Sequence, residues 1–440
     1  MSEEVATSQQ ELVEKYQPYP EYDDSGIEWL GRIPVHWKLA TLKHECVFSG
    51  GGTPTKDNLA YWGGDIPWIS PKDMKSLVVT DSIDKITAVA VAESSTKLVP
   101  EGALLMVVRS GILQRTIPVA INTVPVTLNQ DMKALRFKSK DKACFFLYYI
   151  QGLESQLLLE WCKQGATVES IEHELLANAR YPLPPNDELK AINQFLDYET
   201  ARIDRLIAQQ LRLIELLKEK RQAVISHAVT KGLNPYAPMI DSGVEWLGQV
   251  PEHWSVVKLS YVLSLKSGDG ITSNEIEPEG AYPVYGGNGL RGYCEQFNCN
   301  GTYALIGRQG ALCGNVNVAD GKFFASEHAV VVYPRIQFDV RFLSEFLRFM
   351  DLGQYSVSAA QPGISVERIN MLSIAVPPIE EQSLIGQRIS QVELQIERLV
   401  VKAEAGVLLL KERRTALISA AVTGKIDLRG WIPPSEEAAA

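Results

Sequence analysis

Five loops of this 440-residue chain carry side chains suited to reading nucleic-acid bases. In the first half they are "SGGGTPTKDNLAYWGGDIPWISPKDM" (Ser49–Met74) and "VRSGILQRT" (Val108–Thr116). In the second they are "LKSGDGITSNE" (Leu265–Glu275), "VYGGNGLRGY" (Val284–Tyr293) and "IGRQG" (Ile306–Gly310). Arg donates two parallel hydrogen bonds to guanine, and Asn or Gln pairs in the same way with adenine. Lys, Ser, Thr and backbone N–H groups hold phosphates. Glycine lets the backbone come close to a duplex. The candidate contact residues are therefore Lys56, Asn58, Tyr61, Lys72, Arg109, Gln114 and Arg115, then Lys266, Tyr285, Asn288, Arg291, Arg308 and Gln309. The same composition also makes plain turns, and an Arg in such a loop can simply pair with a carboxylate. Arg109 and Arg308 stand out because "VRSG" and "GRQG" both follow a β-like run at comparable points. Gln114, Arg115 and Arg291 lie where the two halves differ, so they carry more of the difference.

The elements that hold these loops are duplicated. "DSGIEWLGRIPVHW" (Asp24–Trp37) returns as "DSGVEWLGQVPEHW" (Asp241–Trp254), 217 residues on. "LPPNDELKAINQFLDYETARIDRLI" from Leu183 aligns without a gap to "VPPIEEQSLIGQRISQVELQIERLV" from Val376, at an offset of 193. The match continues from "KRQAVISHAVTKG" (Lys220–Gly232) into "RRTALISAAVTGK" (Arg413–Lys425). The smaller second offset makes the second body shorter, and the bodies differ in sequence. One scaffold thus presents two unlike surfaces. Trp29, Trp37, Trp246 and Trp254 beside φ-fixing Pro read as pins for each body, with His36 and His253 as packing histidines.

Two long helices are expected. Leu196, Ile203, Gln210, Leu217 and Val224 recur every seven residues, with Leu206 and Leu213 between them. The partner series is Ile389, Ile396, Ala403, Leu410 and Leu417, with Leu399 between. A strict heptad implies a left-handed coiled coil. Each helix starts after Pro-Pro with Asp187 or Glu380 at the positive end, and stops near Gly232 or Gly424. A globular body between them in sequence makes the pairing antiparallel. The bodies read as mixed α/β. The first has β-like runs at Ala103–Val108, Ile117–Ile121 and Lys133–Phe137, then a helix from about Ala143 to Lys163. The second has runs at Thr302–Gly307 and His328–Tyr333, then a helix from about Arg341 to Met350. The expected organisation is a tail (1–18), a first recognition body (19–182), a long helix (183–232), a second body (233–375), a second long helix (376–426) and a tail (427–440).

Other chemistries find little support. No phosphate-loop motif occurs. Gly287, Gly289 and Gly292 fit G-x-G-x-x-G, but neither the following helix nor the acidic residue of a dinucleotide site is there. "NPY" (Asn234–Tyr236) matches only part of an amino-methyltransferase motif, and "ELK" (Glu188–Lys190) only the end of a nuclease motif. None of the six histidines joins a Ser or Cys triad. Cys294, Cys299 and Cys313 with His328 make a loose zinc candidate without close ligand pairs, against free thiols in a reducing compartment. Net charge is −10, and residues 39–180 balance fifteen basic against fifteen acidic groups, so any DNA surface must be local. No run of eighteen apolar residues suggests a membrane span, and the polar, acidic start is no signal peptide, which makes a cytoplasmic location the default.

Taken together, "YDDSGIEWLGRIPVHW" and its copy, "GGTPTKDNLAYWGGDIPWIS", "VYGGNG", "GATVESI" with "QPGISVERI", and the paired helices ending "ISHAVTKG" and "ISAAVTGK" resemble the specificity (S) subunit of a type I restriction-modification system. The resemblance spans about Tyr19 to Lys425. It implies two mixed α/β (α+β) target recognition domains, separated by a long antiparallel two-helix coiled coil in a pseudo-twofold duplication. It implies binding of double-stranded DNA at a bipartite, asymmetric target, with the coiled coil setting the distance between halves. It implies no catalytic site, cofactor or metal in this chain. Two methyltransferase (M) subunits would bring S-adenosylmethionine for adenine methylation, and restriction (R) subunits would bring ATP and Mg chemistry. The N-terminal tail has no copy ahead of the second motif. The alternatives are a structural adaptor with duplicated protein-binding heads and a DNA-modifying enzyme.

Overall fold

A computed structural model describes residues 16–162, 169–310, 312–356 and 363–434. Most of the expected tail 1–18, residues 165–168 and 361–362 of the quoted motifs, Lys163 and the last six residues lie outside the described residues. The chain divides into two compact units, residues 1–211 with 405–440, and residues 212–404. The division runs through both long helices, Asn186–Lys231 and Ile379–Val422.

In the first unit, strand Cys46–Gly50 pairs antiparallel with Met132–Phe137, that strand with Leu104–Val107, and that with Val119–Asn122. A short parallel strand, Val78–Val79, closes this five-stranded sheet. The alternating side chains of Met132–Phe137 divide the interior. Leu135 and Phe137 face the aromatic helix Lys140–Trp161, while Met132 and Ala134 join Ile69, Leu105 and Leu128 on the other face. Strand Trp62–Ile69 leads a second, three-stranded sheet.

The second unit repeats the sheet. Leu263–Ser267 pairs with Ala329–Pro334, that strand with Tyr303–Gly307, and that with Val316–Ala319, all antiparallel. The four central strands thus keep one order in both bodies, although their sequences do not align. Helix Val340–Phe349 covers one face with Phe342 and Phe346. A second four-stranded sheet carries the hairpin Tyr282–Gly286 and Gly289–Cys294.

Each body closes on itself. Lys38–Thr41, just after the first His-Trp pair, runs antiparallel to Arg180–Leu183, just before the first long helix. Ser255–Lys258 and Ser373–Val376 do the same in the second unit. Both helices start directly after their Pro-Pro pairs, and Gly232 (φ +74°) and Gly424 (φ +68°) end them in the left-handed conformation glycine favours.

Helix pairing is antiparallel within each unit. In the first, Arg414 Nε donates to Asp204 Oδ1 at 3.0 Å, and Leu189, Ile192 and Leu196 share a core with Ala416–Val422. In the second, Leu217 packs with Val392 and Ile396, and Ile225 with Ile385 and Ile389. The heptad positions Leu196, Ile203 and Leu217 are buried as expected, but the expected intermediates are not the seam. Leu206, Leu213 and Leu399 are exposed, and Ile207, Ile214, Val392 and Val407 turn inward instead. The alternating 4-3 spacing through 196, 200, 203, 207, 210 and 214 is what a 3.5-residue repeat requires. Leucine content alone selected the wrong neighbour.

Candidate nucleic-acid interface

The frame that fixes the candidate loops is built from the repeated motif. Glu188, in the first turn of the first long helix, accepts the indole N–H of Trp37 at 2.9 Å. It also stands 2.8 Å from His36 Nε2 and accepts the hydroxyl of Tyr19. Glu381, its counterpart in the second long helix, accepts from Trp254 at 3.2 Å and stands 2.7 Å from His253 Nε2. Trp37 and Trp254 are buried; Trp29 and Trp246 are half-buried, the former on Glu160 and the latter against Phe346 and Phe349. The helix ends complete each joint. A Cβ on Gly424 would lie 2.4 Å from Pro34, and one on Gly232 2.9 Å from Glu381. The repeated stretch is therefore a joint, and its histidines are held by carboxylates. In the sequence Glu188 features only within a partial nuclease motif; its placement on Glu381 in the ungapped alignment was the available signal.

In the first body the loops gather at one end of the central sheet. Gly52 N–H donates to the Leu128 carbonyl at 2.8 Å, and a Cβ on Gly51 would overlap the Asn129 backbone. The indole N–H of Trp68 holds the Gly52 carbonyl at 2.9 Å, and that of Trp62 the Thr55 carbonyl at 3.2 Å. Arg109 sits across residues 129–131 from this loop, with Nε donating to Asp131 Oδ1 at 2.7 Å. Gln114 and Arg115 are exposed on the 3₁₀ turn Gly111–Gln114 and at its end. Lys56 and Asn58 are exposed; Asn58 caps the turn Leu59–Tyr61, and Tyr61 donates to Glu93. Lys72 stands on a separate exposed turn, Pro71–Asp73. Lys133, 3.1 Å from His173, is pulled below the usual lysine range by burial, and His173 below the usual histidine range by burial and by Lys133.

The second body gathers its loops at the same end. Arg308 N–H donates to the His328 carbonyl at 2.8 Å, as Val108 N–H does to the Asp131 carbonyl at 2.8 Å. Both Arg follow the strand that flanks the central one, but they are one residue out of register: Val108 matches Arg308, and Arg109 matches Gln309. A Cβ on Gly307 would lie 2.0 Å from the Gly287 carbonyl oxygen, which packs the Gly287–Asn288 turn onto Arg308 and Gln309. Arg291 lies over Gly286, and Asn288 and Gln309 are exposed. Tyr285 and Lys266 are drawn elsewhere, the one edge-on to Phe323 and the other over Tyr333. Gly287, Gly289 and Gly292 belong to this hairpin and its bulge, not to a strand-turn-helix cradle.

Cys294, Cys299 and Cys313 fall in three separate apolar clusters. Burial raises the thiols of Cys299 and Cys313 above their usual range. Among the described residues no three His, Cys, Asp or Glu side chains gather to hold a metal, and no helix is long and apolar enough to cross a membrane.

The family model of the type I restriction modification DNA specificity domain matches residues 34–216 and 251–404, one match to each body with its helix. The chain belongs to this family. It is 33% identical over 382 residues to the specificity subunit of the type I restriction enzyme EcoprrI from Escherichia coli, covering 83% of this chain and 87% of the relative. It is 26% identical to the MjaIX specificity subunit from Methanocaldococcus jannaschii, over 90% and 95% of the two chains. Among solved structures, a chain of a type I restriction-modification system studied for complex assembly and conformational transition superposes with a TM-score of 0.69 at 17% identity, over 89% of this chain and 98% of that one. An HsdS subunit from Thermoanaerobacter tengcongensis gives 0.55 at 17% identity, over 90% and 98%. The fold class expected from the repeats is the fold of these type I specificity subunits.

Proposed function

We propose that this specificity subunit reads a split, asymmetric double-stranded DNA target, one half with each body, and places catalytic partners on it. The observation that carries the reading is the matched pair of sheet ends. Each body presents an Arg-bearing loop at the same point of the same strand order, surrounded by unlike loops. A shared frame with private loops is what two different half-sites call for. No Ser, Cys or His constellation is assigned a catalytic role. S-adenosylmethionine, ATP and Mg belong to two methyltransferase subunits and to restriction subunits, which dock on the frame; the cytoplasm is where such a complex meets DNA. The exposed leucines of the long helices, Leu211, Leu213, Leu394, Leu399, Leu408 and Leu409, support docking there, because solvated apolar side chains in series mark contact surfaces.

The test is binding by the full chain with its methyltransferase partner. One bipartite duplex is bound with affinity that falls steeply as salt rises. Equal affinity for scrambled duplexes would end the proposal, and binding of S-adenosylmethionine by the isolated chain would point to an enzyme.

A further inference from the structure

Resting on that reading, we infer that Arg109 reads a guanine in the half-site of the first body, and that Asp131 is the positioning residue that aims it. Arg109 Nε donates to Asp131 Oδ1 at 2.7 Å. Among the described residues its two terminal nitrogens have no recorded partner, so the outer edge of the guanidinium keeps two parallel donors. That edge matches the N7 and O6 acceptors of guanine. The Arg109 side chain is 54% exposed and Asp131 only 25%, so the arginine is the outermost of the pair.

Asp131 is itself fixed. Its backbone N–H donates to Asn129 Oδ1 at 3.0 Å, and Asn129 Nδ2 donates to Asp131 Oδ2 at 3.2 Å. Asn129 is buried. The chain Asn129–Asp131–Arg109 thus runs from the core to an exposed fork. An exposed ion pair contributes little to stability, which leaves the arrangement without a folding rationale. The carboxylate also decides between two kinds of contact. It nearly cancels the charge of Arg109 and repels a phosphate, whereas a guanine edge is neutral and offers only acceptors. The pairing therefore favours a base over the backbone.

The second body lacks the device. Gln309 holds the place equivalent to Arg109, and the position of Asp131 is occupied by His328, 3.3 Å from Glu327. Arg308 spends a terminal nitrogen, Nη1, on Ser267 Oγ at 3.3 Å. The two loops thus carry their arginines one residue apart in register and hold them by different partners.

The experiment uses the full chain with its methyltransferase partner. Methylome sequencing of a host carrying the system first defines both half-sites. Duplexes are then made with each guanine in turn replaced by 7-deazaguanine, which lacks N7. One position weakens wild-type binding by about 5- to 150-fold and has no effect on Arg109→Ala. Asp131→Ala loses most of that discrimination while binding scrambled duplex as well as wild type or better, because a negative charge is gone. Arg109→Lys keeps the charge but not the fork, and behaves like Arg109→Ala in discrimination. The inference is overturned if no guanine couples to Arg109 in a variant that still prefers the target, or if Asp131→Ala weakens all duplexes equally, as a merely structural role would. Absence of any sequence preference in the wild type would instead remove the functional reading beneath it.

Discussion

His36 Nε2 lies 2.8 Å from Glu188 Oε2, joining residues 152 apart in sequence. The same glutamate takes the buried indole N–H of Trp37 and the hydroxyl of Tyr19, so one carboxylate seats the chain's leading motif on the first long helix. Its counterpart Glu381 has two such donors and a side chain 22% exposed, against 5% for Glu188.

Unequal burial gives unequal consequences. Glu188→Ala strands buried donors at about 1–3 kcal/mol each and is expected to destabilise the first unit by about 3–5 kcal/mol in all. Glu381→Ala is expected to lower the second by about 1–2 kcal/mol. Thermal unfolding with limited proteolysis, which separates the two units, checks the ranking. A larger effect at Glu381 would contradict it.

The helix ends offer a second comparison. Gly424→Ala places a methyl group 2.4 Å from the Pro34 ring, while Gly232→Ala places one 2.9 Å from the Glu381 carboxylate and 3.3 Å from the Trp254 ring. Both substitutions force alanine into a left-handed conformation, at roughly 1–2 kcal/mol. Gly424→Ala adds the closer overlap and is expected to lower the melting temperature more.

The seam of the long helices is tested by two leucines. Leu217 packs with Val392 and Ile396, and Leu217→Ala is expected to destabilise by about 2–4 kcal/mol. Leu213 is 43% exposed, and Leu213→Ala is expected to change stability by no more than about 0.5 kcal/mol. Denaturant titration of the two variants decides which residue lies in the seam. Loss of methyltransferase association in Leu213→Ala, at unchanged stability, would add support for docking on this face.

Alkali should weaken the first unit. Burial raises the phenols of Tyr19, Tyr148, Tyr149 and Tyr181 far above the ordinary value of 10.0, with Glu188 and Asp197 adding to the shift at Tyr19 and Tyr148. The unfolded chain loses these protons near pH 10 while the folded chain keeps them. Stability is therefore full below pH 10 and falls as pH rises beyond it. Tyrosinate absorbance is expected to rise in two stages, exposed phenols first and these four only with unfolding. A single reversible stage would refute this.

Phosphate contacts have their own signature. Lys56→Ala and Lys72→Ala, both at exposed lysines, are expected to weaken binding of target and scrambled duplexes alike, and to reduce the slope of log affinity against log salt by about 1 each. An unchanged slope would remove either residue from the DNA face.

Much of the fold was legible because repetition is visible without geometry. The two offsets marked the frame, the Pro-Pro pairs and glycines marked the helix ends, and β-like runs marked five of the eight central strands within one or two residues, missing Cys46–Gly50, Leu263–Ser267 and Val316–Ala319. The seam was misread at Leu206, Leu213 and Leu399, since a heptad fixes the period but not which neighbour faces inward. The candidate loops were found by composition, and Arg109 and Arg308 by their place after a strand. Asp131, Ser267 and Asn129 were not found. Asp131 and Ser267 act through hydrogen bonds to distant residues that no local pattern announces, and Asn129 acts through Asp131, two residues on.

Gly51 and Gly268 each lie so close to a backbone carbonyl that no side chain fits. The recognition loops are thus seated main chain to main chain at these two points, and Trp62 and Trp68 hold the first of them as well. Selection can rewrite the exposed residues of these loops with little effect on folding, provided it spares such glycines and tryptophans. A lineage under pressure to change its target would find that freedom here, and would find none at Glu188.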